Sequence, residues 1–411
     1  MNNEIDVTKI IPFFQPIIAA DTREIYSFEV LGRFIDDDGA VRSLGPLFES
    51  KETTNTEALQ ADRLVRKSAL QKYAEEIRNE YLFINIRLEW LVQYSNRLEE
   101  LPTLQWAREF GIDPQKLVIE ITEEEFNSDN DDYLKVLRYY RDSGCRIAID
   151  DYGKNANDIS RIDLLSPDIV KIDMDYIHKS QSSHYFREYL STMAGYAERV
   201  GIEVLYEGIE NEKQLDICMS SKGRFYQGFL IAKPQAELKN PIVDLSVFNV
   251  VADRGLSAVR AAAGNRNRLR LLWEDCIDTY LKKHPFECGD FTQMDFDEYL
   301  IKLYETMFST SHFETIQDIL NKNVKRMYLC AQSGIQISRN IEITAQGINF
   351  VDYRNKNWAW RGYFRKTLFA FDFGRKSYLT EIYRDATTKE PVFTFGYLVS
   401  AQILLFIDIC A

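Results

Sequence analysis

Seven short segments of the chain end in a polar or charged residue where an apolar, strand-like run stops. The polar residues at these ends are Glu29, Arg33, Asn85, Glu120, Asp150, Asp151, Lys171, Glu207 and Gln227. A carboxylate directly after a β-branched run is costly to bury alone, so five carboxylates at such positions indicate a shared cation. Metal-assisted hydrolysis of a phosphodiester is chemistry that this set of groups could support.

The elements that must position these groups alternate between strand and helix from about residue 10 to residue 235. Amphipathic helical stretches cover 57–78, 131–143 and 185–200, and about eight apolar runs lie between them. This alternation predicts parallel strands joined by helices and favours a closed barrel, in which functional groups gather at the carboxyl ends of the strands. The first two strands are joined only by residues 20–23, so they must run antiparallel. The prediction is an α/β fold, a modified TIM-type (β/α)8 barrel with one antiparallel strand.

The strand pattern stops after Lys233-Pro234. Residues 242–283 have helical character with a break expected near Gly264, and further helices are predicted at 294–308 and 312–322. The remainder is aromatic and rich in strands, which predicts a separate α+β module. We therefore expect a barrel over residues 1–235, a helical connector over 236–283 and a second domain over 284–411.

Composition narrows the class of protein. The chain has 411 residues, 45% of them hydrophobic, and a formal net charge of −13. This charge argues against duplex nucleic acid as a partner, because such binding needs a broad cationic surface. The six cysteines form no CxxC pair, and no apolar run is long enough for a membrane span. The sequence predicts a cytoplasmic protein without a membrane partner.

Two segments near the start carry a family resemblance when taken with the later ones. Phe14-Gln15-Pro16-Ile17 and Glu29-Val30-Leu31 resemble the opening strand and the name-giving motif of EAL-domain cyclic di-GMP phosphodiesterases, with Val30 in place of the usual Ala. The segment 357–364, Asn-Trp-Ala-Trp-Arg-Gly-Tyr-Phe, resembles a PAS-like domain attached to one branch of that family. The resemblance implies divalent-metal-dependent hydrolysis of cyclic di-GMP to linear pGpG.

The resemblance also implies a role for each matching residue. Glu29, Asn85, Glu120 and Asp150 would ligate a first ion, with Asp150 bridging to a second ion that Asp151 also holds. Oxygen-only ligands suit Mg²⁺ or Mn²⁺, and Ca²⁺ would be an inhibitory competitor. Glu207 would be the base, and Lys171 would contact the nucleophile or the phosphate. Gln15, Arg33 and Gln227 would bind the substrate, with Gln227 also supporting the Glu207 side. Glu123 would anchor the loop after Asp151. A homodimer and a small-molecule ligand of the C-terminal module are implied as well.

Two departures from the family pattern leave an alternative open. Residues 152–157 read Tyr-Gly-Lys-Asn-Ala-Asn where the family shows Phe-Gly-Thr-Gly followed by a Ser pair, and Tyr206 replaces a small residue before Glu207, where it could crowd the base. A receptor that binds cyclic di-GMP without hydrolysing it is therefore the alternative function.

Individually, the strand-end residues could also serve in salt bridges, caps or turns, and Lys171 could simply pair with Asp173. The conjunction of all seven segments argues against these structural roles. The presence of Glu207, Lys171 and all the metal positions favours the enzyme over the receptor.

Overall fold

The structure is a computed structural model. It describes residues 9–36, 38–49, 55–76, 79–122, 131–152, 159–238, 241–284, 295–309, 324–344, 346–385 and 388–411. The chain forms two compact units, residues 1–257 and 258–411. The helix predicted at 312–322 lies outside the described residues.

The first unit is a closed barrel. Its strands, in chain order, are β1 (Ile10–Ala19), β2 (Ile25–Ile35), β3 (Val41–Ser43), β4 (Tyr81–Asn85), β5 (Leu117–Thr122), β6 (Arg146–Tyr152), β7 (Ile169–Ile172), β8 (Glu203–Tyr206) and β9 (Phe225–Tyr226). Neighbours follow the order β1-β9-β8-β7-β6-β5-β4-β2, and pairing of β1 with β2 closes the barrel. Strand β1 is antiparallel to both of its neighbours, and the strands from β2 through β4 to β9 are parallel. The predicted fold class is confirmed.

Helices pack around the outside of this barrel. They are α1 (Gly45–Glu49), α2 (Asn55–Glu76), α3 (Leu88–Leu91), α4 (Pro102–Glu109), α5 (Asp131–Asp142), α6 (Ile159–Leu165), α7 (Met174–Ser180), α8 (His184–Val200) and α9 (Glu212–Ser220). Helix α9 begins with a capping box, in which Asn211 accepts from the backbone N–H of Gln214 and the Gln214 side chain accepts from the N–H of Asn211. The apolar faces of these helices and the outer faces of the strands form one large core.

The inside of the barrel is built in layers, because alternate residues of a strand point to opposite faces. A middle layer of apolar side chains fills the interior with Ile17, Phe83, Val118, Ala148, Ile169, Leu205 and Phe225. The next inward-pointing residue of each parallel strand, two positions closer to its carboxyl end, is polar. These residues are Asn85, Glu120, Asp150, Lys171, Glu207 and Gln227. Glu29 on β2 and Gln15 on the antiparallel β1 lie opposite each other in register and complete this polar layer.

The second unit is an antiparallel sheet with helices on its faces. Its elements are α10 (Ser246–Lys283, shared with the first unit), α11 (Phe296–Ser309), β10 (Val324–Ala331), β11 (Asn340–Thr344), β12 (Gly347–Val351), α12 (Gly362–Asp372), β13 (Ser377–Leu379), β14 (Tyr383–Arg384), β15 (Pro391–Ser400) and β16 (Ile403–Cys410). Helix α10 is continuous, so the expected break near Gly264 is wrong; a helix tolerates a single glycine at a cost of about 1 kcal/mol.

The two faces of this second sheet have different partners. Residues of one phase, such as Leu405 and Ile407, form a core with Trp273 of α10 and Leu300 of α11. Residues of the other phase, such as Phe406, pack against α12. On that second face Arg326 donates through Nε to Asp408 Oδ2 at 2.6 Å and also contacts Asp385. Thr394 donates to the other Asp408 oxygen at 2.6 Å. Two buried carboxylates therefore share one guanidinium.

One consequence of the barrel packing can be tested at Gly223. A Cβ atom added there would lie 2.3 Å from Cε2 of Tyr206, whose ring is fully buried. We expect Gly223→Ala to lower the free energy of unfolding by about 1–3 kcal/mol, because overpacking forces neighbours to shift. Gly195→Ala in α8 is the control, since its Cβ would meet only Arg199 at 3.7 Å. Urea denaturation of both variants checks this, and equal stabilities would contradict the packing.

The shared guanidinium of the second unit gives another prediction. Arg326→Met should destabilise this unit by about 3–5 kcal/mol, because Asp385 and Asp408 lose their cationic partner inside the protein. The matched control is Arg354→Met, which removes a half-exposed pair with Asp352 and should change stability by less than about 1 kcal/mol. Thermal unfolding followed by near-ultraviolet circular dichroism measures both changes. A loss in the Arg326 variant no larger than in the control would rule out this role.

Candidate active site

The polar layer at the carboxyl ends of the barrel strands converges on the ammonium group of Lys171. Its Nζ lies 3.0 Å from Glu207 Oε2, 3.1 Å from Asp150 Oδ1 and 3.5 Å from Glu29 Oε1, and it contacts Glu120 Oε1. Four carboxylates from β2, β5, β6 and the end of β8 thus surround one cation. If all four are ionised, the cluster carries a formal excess of three negative charges.

The solvent exposure of the side chains differs across this cluster, so one side of the site is buried and the other faces solvent. The side chains of Lys171 and Glu120 are 1% and 0% exposed, whereas those of Asp150 and Glu207 are 17% and 19% exposed. Glu120 therefore forms the floor of the site, and Asp150 and Glu207 face its opening. A ligand that enters from solvent would meet Asp150 and Glu207 first.

The electrostatics of the cluster follow from this burial. Loss of water raises the pKa values of Glu120 and Glu207 well above the usual range, and Lys171 only partly opposes the increase. Burial alone would lower the pKa of Lys171, but Asp150, Glu120, Glu207 and Glu29 together hold it well above its usual value. Lys171 is therefore a charged ammonium group inside the barrel.

Glu29 is held on both of its oxygens by neutral amides. Asn85 donates through Nδ2 to Oε1 at 3.3 Å, and Gln227 donates through Nε2 to Oε2 at 2.7 Å. Gln227 also lies within hydrogen-bond reach of Gln15 Oε1 at 3.4 Å, and Gln15 donates to the carbonyl of Ala232 at 3.0 Å. Gln227 thus contacts Glu29, whereas the sequence had suggested that it supports Glu207. The carbonyl of Ala232 could not have been identified from the sequence, since any residue supplies one.

Arg33 lies farther along β2 and contacts none of the four carboxylates directly. Its Nη1 donates to the carbonyl of Gly32 at 2.8 Å, and its guanidinium lies 5.9 Å from the ring centroid of Phe13. Within the described part of the chain, Arg33 forms no ion pair. The Asp151 side chain, Glu123 and residues 153–158 lie outside the described residues, so their predicted roles stay predictions.

Tyr206 does not crowd Glu207, and that expectation is wrong. Tyr206 has the opposite phase on β8, so its ring lies on the outer face of the barrel among the helices. Its hydroxyl donates to the carbonyl of Ser221 at 3.4 Å, and Gly223 provides the space for its ring. The suggested pair between Lys171 and Asp173 is also not formed; Asp173 accepts from the backbone N–H of Asp175 and caps α7.

The donor set of this layer fits a divalent cation. It offers oxygen ligands, and Glu120 Oε2 is buried without a hydrogen-bond donor among the described residues. In the arrangement seen here, however, no three acidic, histidine or cysteine side chains of the described ranges already form a metal-binding group. The carboxylates are instead oriented toward Lys171. The residues therefore fit a divalent metal by the chemistry of their donor atoms.

The barrel has one antiparallel strand and an acidic layer at the carboxyl ends of its parallel strands, and comparison with family models identifies the family to which it belongs. The family model for the EAL domain matches residues 1–234, and a model for an EAL-domain associated signalling protein domain matches residues 282–411. The chain belongs to the EAL-domain family, as its sequence motifs predicted.

Similar proteins agree with this assignment. The chain is 28% identical over 408 residues to YkuI, an uncharacterised EAL-domain protein of Bacillus subtilis, covering 98% of this chain and 95% of YkuI. A crystal structure of YkuI with substrate c-di-GMP and calcium superposes over the full length of both chains, with a TM-score of 0.84 and 26% identity. The chain is also 24% identical over 235 residues to a probable cyclic di-GMP phosphodiesterase of Escherichia coli, PdeB, covering 57% of this chain and 44% of PdeB. No helix in the described ranges is long and apolar enough to cross a membrane.

The contact between Gln227 and Glu29 gives a prediction that needs no substrate. Gln227→Met should lower the free energy of unfolding by about 1–3 kcal/mol, because a buried carboxylate oxygen loses its donor. Gln71→Met removes an exposed side-chain bond to Glu75 in α2 and should change stability by less than about 0.5 kcal/mol. Urea denaturation without added metal compares the two. Equal effects would show that Gln227 does not hold Glu29.

Proposed function

We propose that the barrel hydrolyses cyclic di-GMP to linear pGpG with the help of divalent cations. The observation that carries this proposal is the convergence of Glu29, Glu120, Asp150 and Glu207 at the carboxyl ends of the strands. Membership of the EAL-domain family and the similarity to YkuI, whose structure contains substrate c-di-GMP, support the choice of substrate. In the reaction, a water molecule adds to phosphorus and one P–O ester bond breaks, which opens the ring.

Glu207 is our proposed general base. It lies at the opening of the site, and its raised pKa makes it a stronger proton acceptor than an ordinary carboxylate. Lys171, 3.0 Å from Glu207, would contact the incoming water or a phosphate oxygen. Arg33, which has no ion pair among the described residues, would contact the phosphate. With Arg33, Gln15 would hold the phosphate and base of the substrate, because its amide nitrogen carries a second N–H beside the one donated to the carbonyl of Ala232.

The metal ligands would be Glu29, Asn85, Glu120, Asp150 and Asp151, with Asp150 shared between two ions. When bound, Mg²⁺ or Mn²⁺ would stabilise charge on the phosphate oxygens and lower the pKa of water. Ca²⁺ prefers longer bonds and more ligands, so we propose that it binds without supporting turnover.

We also infer that the C-terminal unit regulates the barrel, in a homodimer and in response to a small molecule. The match to an EAL-domain associated signalling protein domain supports a signalling role. Arg361 is a candidate contact for an anionic ligand, since its guanidinium lies 5.1 Å from the ring centroid of Trp360 and 5.7 Å from that of Tyr363.

The role of Glu207 separates hydrolysis from binding. Glu207→Gln should lower kcat by about 10²–10⁴-fold and leave the affinity for cyclic di-GMP within about threefold, because it removes the proton acceptor and keeps the shape. Chromatographic product analysis with Mn²⁺ gives the rate, and calorimetry gives the affinity. Glu210→Gln, an exposed change three residues away, is the control. Normal turnover in the Glu207 variant would overturn the assignment of the base.

A receptor that binds without hydrolysis remains the second candidate because of the departure at residues 152–157. The same product analysis on the unmodified chain decides between the two. Linear pGpG formed in the presence of Mn²⁺ supports the enzyme. Cyclic di-GMP that is bound and recovered intact supports the receptor.

A further inference from the structure

Lys171 occupies the position at which the carboxylates of the site meet. Its Nζ lies within 3.5 Å of oxygens from Glu29, Asp150 and Glu207 and contacts Glu120 as well. Four acidic neighbours offer this buried ammonium group more acceptor groups than it has N–H donors, because an ammonium group donates only three hydrogen bonds. Nζ contacts Glu120 through Oε1, and Glu120 Oε2 has no hydrogen-bond donor among the described residues.

We propose that Lys171 is a built-in counter-ion of the metal-free site, and that a divalent cation binds by exchange with its ammonium group. This inference rests on the proposed use of a divalent cation and concerns what sets the affinity for that cation. Without metal, the ammonium group compensates the negative charge of the carboxylates and so stabilises the folded barrel around them. It also competes with the metal for oxygens of Glu29, Glu120 and Asp150.

Two physical arguments support the exchange. Oxygens of Glu29, Asp150 and Glu207 lie within 3.5 Å of Nζ, which also contacts Glu120, so the ammonium group occupies the point at which a shared cation would meet these ligands. In addition, two cations a few ångströms apart in a partly desolvated site repel each other strongly. The ammonium group must therefore withdraw from some of its four partners when a metal binds.

The test is a change of charge at constant size, measured without nucleotide. Lys171→Met keeps the length of the side chain and removes its charge. We expect the metal-free variant to unfold at a lower temperature than the unmodified protein, because four carboxylates lose their counter-ion. We expect its affinity for Mn²⁺ in calorimetry to rise about tenfold or more, because the competing cation is gone. Lys213→Met, at an exposed position in α9, should change neither quantity.

A second variant keeps the test decisive if Lys171→Met does not fold without metal. Lys171→Met combined with Glu120→Gln removes one positive and one negative charge, so its metal-free stability should lie closer to that of the unmodified protein. A combined variant no more stable than Lys171→Met would overturn the counter-ion role. Mn²⁺ affinity unchanged or weakened in a folded Lys171→Met protein would overturn the exchange.

These measurements are independent of hydrolysis. If the unmodified protein proves to be a receptor that does not cleave cyclic di-GMP, the exchange between Lys171 and metal can still hold. If hydrolysis is confirmed but Mn²⁺ affinity does not rise in the Lys171 variant, only the exchange fails. Lys171 would then serve the reaction without controlling the affinity for metal.

Discussion

The convergence of four carboxylates on a single buried ammonium group is the constraint on which the rest of the barrel depends. Charges of this kind are stable inside a protein only when they are paired and held by surrounding structure. The barrel meets this requirement with its closed sheet: Glu29, Glu120 and Asp150 lie on three strands, and Glu207 directly follows a fourth, so that all four surround Lys171. An open sheet could not surround one side chain in this way. The fold and the chemistry of the site are therefore two aspects of one arrangement.

Uncharged amide side chains hold one of the four carboxylates, Glu29, in a defined orientation. Asn85 and Gln227 each donate to one oxygen of Glu29, and neither adds charge to a site that already has an excess of acidic groups. The apolar layer beneath, with Phe83 and Phe225, separates the cluster from the opposite end of the barrel. The apolar layer therefore closes one side of the site. The other side opens to solvent, and there Asp150 and Glu207 are the most exposed of the four acidic residues.

Much of this arrangement is predictable from the sequence because the period of a strand is regular. Strand-end positions such as Glu120 and Asp150 could be assigned to one end of a barrel from the alternation of apolar runs and helices alone. The same period places Tyr206 on the outer face, one residue out of phase with Glu207, so the expectation that it crowds the base could have been avoided. Lys171 at the centre of the cluster was less predictable, since a pattern in one strand does not show which side chains of other strands it meets. The partner of Gln227 depends likewise on tertiary packing. Helix α10 continues through the exposed Gly264 because a helix tolerates a single glycine.

The central claim is that this acidic layer is a cation site in which an ammonium group and a metal compete. Crystals of the protein grown without metal and then soaked in Mn²⁺ test the claim most directly, through anomalous difference density. We expect density among Glu29, Glu120 and Asp150, with Nζ of Lys171 withdrawn from at least one of these carboxylates relative to the metal-free crystals. Lys171 in unchanged contact with all four carboxylates, and no manganese among them at saturating concentration, would contradict the account.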